Sequence, residues 1–212
     1  MKHQPIKLAR PEDLFPANGT FAPQMANPKR PFRKPGEGLD EVLLVCSGIV
    51  AIYGSDREYG RRAIVALRYP GEAIIPGGRS ANCGIQALVH SSLAVSPSAV
   101  VDGAAWLAMA QRNEAIAYEW LARQGSSAEA RVAHLLCETA IRIGQGQEGL
   151  FLPFTQQHIA DITSQTSVNV NRVLADFERD GLIGRRGRDI TFLDWQGLAR
   201  CGGFKPDYLG VA

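Results

Sequence analysis

The stretch SVNVNR, at residues 167–172, places small polar side chains and one arginine close together. An arginine can bind O6 and N7 of guanine with two nitrogens, an asparagine can bind N6 and N7 of adenine, and an exposed valine can contact the methyl group of thymine. Asparagine and valine are weak helix formers, so helix stability alone would not favour them here. The alternative is a solvated helix surface without a ligand. The candidate base contacts are Ser167, Val168, Asn169, Asn171 and Arg172.

A second group of residues has the chemistry of a phosphate site. Three arginines flank Gly187 at the tip of a predicted hairpin, and arginines at such a tip contact phosphates, which gives affinity and salt dependence but little sequence preference. Backbone N–H groups at a helix start also attract phosphate. The predicted phosphate contacts are Thr155, Gln156, Gln157, Arg185, Arg186 and Arg188. Because the formal net charge of the chain is only +2, such binding depends on the local placement of charge.

Two short helices and a hairpin must hold these residues in place. Thr155 is a good N-cap for a helix over about 156–163, and Thr166 caps a second helix over about 167–179 after a short turn. An apolar stripe at i, i+3, i+4 and i+7 marks the buried face of the second helix. That stripe consists of Val170, Val173, Leu174 and Phe177. Two helices, a tight turn and a basic hairpin around Gly187 predict a winged helix-turn-helix.

The rest of the chain divides into further predicted regions. Residues 1–38 are rich in proline and basic residues and are expected to form an irregular arm. Residues 39–97 contain short β-rich runs broken by glycine and proline, which predict a small β-sandwich or barrel. Residues 98–126 have helical periodicity, and residues 127–212 contain the winged helix-turn-helix. The predicted fold class is therefore α+β, with an N-terminal β domain, for which the family resemblance described below implies a jelly-roll-like β-roll, a long helix and a C-terminal winged helix.

The long helix carries an apolar seam whose spacings alternate between three and four residues. This heptad pattern is typical of a coiled-coil dimer, in which the single polar residue Asn113 could fix the register. Because the stripe is short, it also fits a helix packed on its own domain. The predicted seam consists of Trp106, Met109, Asn113, Ile116 and Trp120.

Composition excludes several classes of protein. The chain has 212 residues, of which 45% are hydrophobic and 21% charged, which is enough for a packed core and too apolar for disorder. No run approaches the roughly 18 to 20 apolar residues that cross a bilayer, and the charged N-terminus lacks a secretory signal, so we expect a cytoplasmic protein. The four cysteines are scattered, so we expect free thiols and no metal site. No nucleophile–base pair is evident, so we expect no enzyme.

These motifs resemble those of the Crp/Fnr family of bacterial transcription regulators. The resemblance covers about residues 40–200 and is strongest in SSAEARVAHLLCETAIRIG and LPFTQQHIADITSQTSVNVNRVLADFERDGLI. It implies a cyclic-nucleotide-binding-like β-roll, a dimerisation helix and a homodimer on roughly palindromic double-stranded DNA, with RNA polymerase as a further candidate partner. Arg172 matches the family pattern, whereas Val168 stands where glutamate is usual and Ser164 where a turn glycine is usual. The half-site should therefore differ from the common family sequences.

The same resemblance bears on an effector site in the β-roll. Family members that bind cyclic nucleotides have a Gly-Glu pair followed by Arg-Ser/Thr-Ala, and this chain has a similar arrangement in Glu72, Arg79 and Ser80. The spacing here is shorter, and the sequence before Glu72 is also typical of a turn that would place the carboxylate elsewhere. We therefore expect no cofactor and no cyclic-nucleotide gating, and the effector stays open. The alternative function is a small-molecule sensor whose winged helix docks a protein partner.

Overall fold

The computed structural model describes residues 23–55, 62–75, 83–97 and 103–210. The chain forms two compact units, of which one ends at Glu114 and the other begins at Ala115, within the long helix. The elements up to the end of that helix are β1 (Gln24–Ala26), β2 (Glu41–Ser47), β3 (Val50–Ser55), β4 (Arg62–Arg68), β5 (Ala73–Ile74), β6 (Gly84–Ala87), β7 (Ser91–Pro97) and α1 (Gly103–Ala122). Those that follow are a 3-10 turn (Arg123–Gly125), α2 (Ala128–Arg142), β8 (Gly149–Phe151), α3 (Gln156–Thr163), α4 (Ser167–Arg179), β9 (Ile183–Arg186), β10 (Asp189–Phe192), α5 (Trp195–Gly202) and a second 3-10 turn (Pro206–Leu209). No helix in the described ranges combines the length and the apolar character needed to cross a membrane.

Two antiparallel sheets make up most of the first unit. One has the strand order β1-β7-β2-β5 and the other β4-β3-β6. Their apolar side chains form the main core of this unit, because the strands bury apolar residues away from water. That core contains Ala26, Leu39, Leu43, Val45, Val50, Ile52, Ile74, Ile85, Ala87 and Leu93. N-terminal sheets followed by a helical C-terminal part confirm the predicted fold class.

Part of the segment expected to be an irregular arm is a strand. Strand β1 pairs antiparallel with β7, with Gln24 opposite Leu93. Further along, the backbones of Arg33 and Ile85 exchange two hydrogen bonds of 3.1 and 2.9 Å. The sequence gives no sign of this short strand or of the bridge at Arg33, since the pairing partners lie far along the chain and leave no local signal. Residues 1–22 lie outside the described residues.

The first half of the predicted dimer seam contacts its own chain. Trp106 and Met109 on α1 pack against a small buried cluster of the first unit. The side-chain nitrogen of Asn113 donates a hydrogen bond of 3.1 Å to the backbone oxygen of Ala73. These contacts correspond to the intrachain alternative.

The second half of the seam is also engaged within the chain. Ile116 is buried, and the indole N–H of Trp120 lies 3.2 Å from both carboxylate oxygens of Glu138. The outward face of α1 carries other apolar residues, namely Leu107, Tyr118 and Leu121, which are 57%, 69% and 71% exposed. The predicted seam residues thus contact their own chain, and a second set of apolar residues lies on the outward face. The helix carries apolar residues on two faces, and the sequence does not show which of them its own chain covers.

Local sequence signals correctly predict α3 and α4 of the second unit. The side chain of Ser127 caps α2, that of Thr155 caps α3, and that of Thr166 caps α4. In each case the hydroxyl accepts a hydrogen bond from a backbone N–H that has no partner inside the helix. The predicted bounds 156–163 and 167–179 are confirmed to the residue.

The C-terminal sheet contains the predicted hairpin and one unpredicted strand. Strand β10 pairs antiparallel with β9 and, on its other side, with β8. Gly187 at the hairpin tip has φ of 65°, a conformation that glycine adopts without steric cost. Helix α5 was not predicted, and it packs closely on α2. A Cβ atom at Gly202 would lie 2.5 Å from the backbone nitrogen of His134.

All four cysteines are free, as the sequence predicts. Burial raises the pKa of the Cys137 thiol far above its usual range, with a smaller contribution from Cys201. Among the described residues, no group of three or more His, Cys, Asp or Glu side chains is arranged to hold a metal ion.

Candidate nucleic-acid interface

Helix α4 buries one face and exposes the other. Val170, Val173, Leu174 and Phe177 are excluded from water, as their spacing predicts. On the opposite face Val168 is 79% exposed, and Asn171 and Arg172 are exposed too. Ser167 and Asn169, at the start of the helix, are less accessible: Ser167 is half-buried and Asn169 lies against the preceding turn. The exposed face therefore offers one apolar contact, one amide and one guanidinium within a single helical turn.

The turn before α4 fixes how the helix begins. Ser164 has φ of 54° and ψ of 49°, the left-handed conformation that a glycine would adopt at lower cost. The hydroxyl of Thr166 then accepts a hydrogen bond of 3.1 Å from the backbone N–H of Asn169. The capped N-terminus of α4 is therefore also the end of the helix that carries the exposed polar side chains.

The guanidinium of Arg172 is held by three oxygen-bearing side chains. Its Nε and Nη2 donate to Oδ1 of Asn169 at 3.2 and 2.9 Å. Its Nη1 donates to Oδ2 of Asp176 at 3.2 Å, and its Nη2 donates to Oε1 of Glu129 at 3.3 Å. All three nitrogens are therefore engaged, although the side chain is 57% exposed. Two carboxylates thus balance the positive charge of the arginine.

Glu129, on α2, is the least expected of these partners. A hydrogen bond from its own backbone N–H lowers the pKa of its carboxyl group, and hydrogen bonds from Ser127 and Arg172 lower it further. The group is therefore ionised at neutral pH and attracts the arginine. Its position 43 residues before Arg172 gives no sequence signal, whereas Asp176 could have been found from its i+4 spacing on the helix.

The predicted base and phosphate residues meet where α3 begins. The side-chain nitrogen of Gln156 donates a hydrogen bond of 3.1 Å to Oδ1 of Asn171. Gln157, one residue further on, instead donates to Asp161 at 2.7 Å, within its own helix. Gln156 thus joins the two helices of the motif on the exposed side, and Gln157 does not.

The three arginines of the wing are not equivalent. Arg185 forms an ion pair with Glu178 of α4, which lowers the pKa of that carboxyl group. The Nε of Arg188 donates to the backbone oxygen of Leu152 at 3.0 Å. Arg186 is exposed, and among the described residues its side chain has no ion-pair or hydrogen-bond partner. Arg186 is therefore the wing cation most available to an external anion.

A cleft of about 290 Å³ lies between the wing and the start of α3. Four of the six predicted phosphate contacts line it together with apolar residues: Thr155, Gln156, Arg185 and Arg188. Guanidinium groups and the N-terminus of a helix around one concave surface can bind an anion such as a phosphate. Gln157 and Arg186 do not line this cleft.

Glu72, one of the three predicted effector residues, has both carboxylate oxygens engaged within its own chain. Glu72 is 5% exposed, and one of its oxygens accepts a hydrogen bond of 3.1 Å from the backbone N–H of Tyr69. The other oxygen accepts one of 3.3 Å from Arg112 of α1. Glu72 thus closes a turn and holds the helix, as the alternative interpretation of its sequence context predicts. Arg79 and Ser80 lie outside the described residues.

The C-terminal part of the chain matches one family model. Residues 130–201 match the Crp-like helix-turn-helix domain. No protein of curated function matches the sequence.

Solved structures share the fold of most of the chain. FixK2 from Bradyrhizobium japonicum has a TM-score of 0.78 at 23% identity, over 88% of this chain and 100% of its own. A CRP-family transcriptional regulator from Thermus thermophilus has a TM-score of 0.67 at 22% identity, over 85% of this chain and 97% of its own. A mutant of CooA from Carboxydothermus hydrogenoformans has a TM-score of 0.62 at 19% identity, over 86% of this chain and 88% of its own. The resemblance predicted from the motifs is thereby confirmed: the chain has the fold of the Crp/Fnr transcription regulators and carries their helix-turn-helix domain.

Proposed function

We propose that the protein is a transcription regulator that binds specific double-stranded DNA as a homodimer, with α4 in the major groove and the wing on the phosphates. The observation that carries the proposal is the exposed face of α4, where Val168, Asn171 and Arg172 stand together beside the arginine-lined cleft. In a helix-turn-helix, the N-terminal part of the second helix contacts base edges. The geometry of α4 matches that requirement.

The side chains divide between two tasks in this proposal. The proposed base contacts are Ser167, Val168, Asn171 and Arg172, with Arg172 as the principal reader of a guanine, and Asn169 lies beside them at the start of the same helix. The candidate phosphate contacts are Thr155, Gln156, Gln157, Arg185, Arg186 and Arg188. Phosphate contacts set the position of the protein and supply most of the salt-dependent affinity, whereas base contacts supply the sequence preference.

The outward face of α1 is the proposed dimer surface, and its partner is a second copy of this chain. Leu107, Tyr118 and Leu121 are spaced by eleven and three residues, which places them on one heptad stripe. A homodimer would present two α4 helices to two half-sites about one turn of DNA apart, as a palindromic operator requires. This stripe replaces the seam of Trp106 to Trp120, whose residues contact their own chain.

The dimer proposal is tested by adding a charge to that stripe. Leu121→Glu should dissociate the dimer, because two carboxylates would then face each other across an apolar seam. Sedimentation at micromolar concentration measures the mass directly, and Gln124→Glu, at an exposed site next to the helix, is a control that also adds one charge. A variant Leu121→Glu that sediments as a dimer contradicts the proposed surface.

Selection of random duplexes tests the function itself. The full-length protein should enrich a roughly palindromic sequence at moderate salt, and added cyclic AMP should not change the affinity, because Glu72 is engaged within the chain. Failure to enrich any sequence, together with retention of a defined protein partner, would instead support the protein-docking alternative.

A further inference from the structure

A chain of hydrogen bonds runs behind Arg172 to the backbone of α2. The side-chain nitrogen of Gln165 donates to the backbone oxygen of Ala128 at 3.1 Å. The side-chain nitrogen of Asn169 donates to Oε1 of Gln165 at 2.7 Å. The oxygen of Asn169 then accepts from Nε and Nη2 of Arg172 at 3.2 and 2.9 Å. Each amide uses its nitrogen on one side and its oxygen on the other.

This series of hydrogen bonds has a defined direction. A backbone carbonyl can only accept a hydrogen bond, so the nitrogen of Gln165 must face Ala128 and its oxygen must face Asn169. The nitrogen of Asn169 must then face Gln165, which turns its oxygen towards Arg172. The opposite orientation of either amide would place two donors or two acceptors against each other. Asn169 is thus fixed as an acceptor for the guanidinium.

The position of Asn169 leaves one edge of Arg172 for a base. A guanidinium has five N–H groups, and bidentate binding to guanine uses two of them on one edge. Asn169 occupies the edge formed by Nε and Nη2. The edge formed by Nη1 and Nη2 faces Asp176 and Glu129, whose side chains are 21% and 37% exposed. Ion pairs this exposed are weak, so a guanine can displace them while the contact with Asn169 persists.

We propose that Asn169 is a positioning residue for base recognition, which with Gln165 behind it directs the Nη1/Nη2 edge of Arg172 towards a guanine. This proposal rests on the proposed function and deepens it. It replaces the direct base contact that the sequence predicts for Asn169, because both polar atoms of its amide are engaged inside the chain.

The experiment compares the base preference of single variants with that of the full-length wild type. Selection of random duplexes first defines the wild-type site, and Arg172→Ala then identifies the base pair that Arg172 reads. Asn169→Ala and Gln165→Ala should each weaken preference at that same base pair, by about 3- to 10-fold, against roughly 10- to 100-fold for Arg172→Ala. Alanine at position 169 keeps the backbone N–H that Thr166 caps, so α4 should remain folded.

Two further variants separate positioning from direct reading. The double variant Asn169→Ala with Arg172→Ala should lose no more preference at that base pair than Arg172→Ala alone, because the two residues act as one unit. Asn171→Ala is the matched control, an asparagine on the same helix that should affect a different base pair. Thermal melting of each variant verifies that it is folded.

Three results would overturn the proposal. Asn169→Ala could weaken preference at a base pair that Arg172 does not read, which would make it a direct contact. Asn169→Ala and Gln165→Ala could leave the preference at every base pair unchanged, which would mean that the series of hydrogen bonds behind Arg172 has no role in recognition. A wild-type protein that enriches no sequence would overturn the proposed function as well, and this result is distinct from the other two.

Discussion

The carboxylate of Glu138 is fully buried, and its partners come from three parts of the second unit. Arg142, one turn along α2, forms an ion pair with it, and His134 lies 3.2 Å from its Oε2. The hydroxyl of Tyr208 donates to the same oxygen at 2.5 Å, and the indole of Trp120 approaches both oxygens. A single charge therefore links the end of α1, helix α2 and the C-terminal turn.

Ionisation of Glu138 depends on those partners. Burial alone would raise the pKa of the carboxyl group, but Arg142, His134 and Tyr208 together hold it at about 2. Burial, with the negative charge of Glu138 beside it, raises the pKa of Tyr208 far above its usual range, so its hydroxyl keeps the proton that it donates. At neutral pH the cluster is thus a buried carboxylate balanced chiefly by one guanidinium.

Arg142→Met should therefore destabilise the protein strongly. Arg142 is itself 2% exposed, so the substitution leaves a buried carboxylate without its counter-charge. Breaking a buried ion pair in this way costs about 3–5 kcal/mol. The double variant Glu138→Leu with Arg142→Met removes both charges and should regain part of the loss, because an apolar pair of similar volume is often close to neutral.

Urea unfolding, followed by circular dichroism, measures these differences as changes in the free energy of unfolding. Because the folded-state pKa of Glu138 is lowered, its contribution to stability is present above the unfolded-state pKa of about 4.3 and is lost as the pH falls towards 2. The pH dependence between about 5 and 2 should thus be weaker in the double variant. A loss below about 1 kcal/mol for Arg142→Met, or a double variant that loses the sum of the two single variants, would refute the reasoning.

Three further substitutions test separate features of the second unit. Arg186→Ala should reduce the slope of log affinity against log salt by about one unit and keep the sequence preference, measured by fluorescence anisotropy at several salt concentrations, because the exposed side chain can bind one phosphate. Ser164→Gly should raise the free energy of unfolding by about 0.5–1 kcal/mol in urea titrations, since it relieves a left-handed conformation. Gly202→Ala should lower the melting temperature and cost about 1–3 kcal/mol, because its Cβ would meet the backbone of His134 at 2.5 Å.

The helix-turn-helix could be predicted because its signals are local. The caps at Thr155 and Thr166 and the apolar stripe of α4 each lie within one helix, and the structure places both helices at the predicted bounds. Strand β1 and the partnership of Glu129 with Arg172 could not be predicted, because they join residues that lie far apart in sequence.

The dimer-forming face of α1 raises a different problem. Trp106 and Tyr118 lie on different faces of the helix, and periodicity alone gives no means of choosing between two faces that both carry apolar residues. The choice depends on which face the rest of the chain covers, and that is a property of the tertiary fold. Glu72 shows the same limit, since its Gly-Glu context fits both a ligand site and the turn that the structure contains.

Binding of the selected duplex and of a scrambled duplex, at one moderate salt concentration, tests the central claim most directly. Wild-type protein should bind the selected duplex more tightly, and Arg172→Ala should lose that preference while it keeps salt-dependent binding to both duplexes. Equal, sequence-independent binding by wild type and Arg172→Ala would contradict the claim that α4 reads DNA sequence through Arg172.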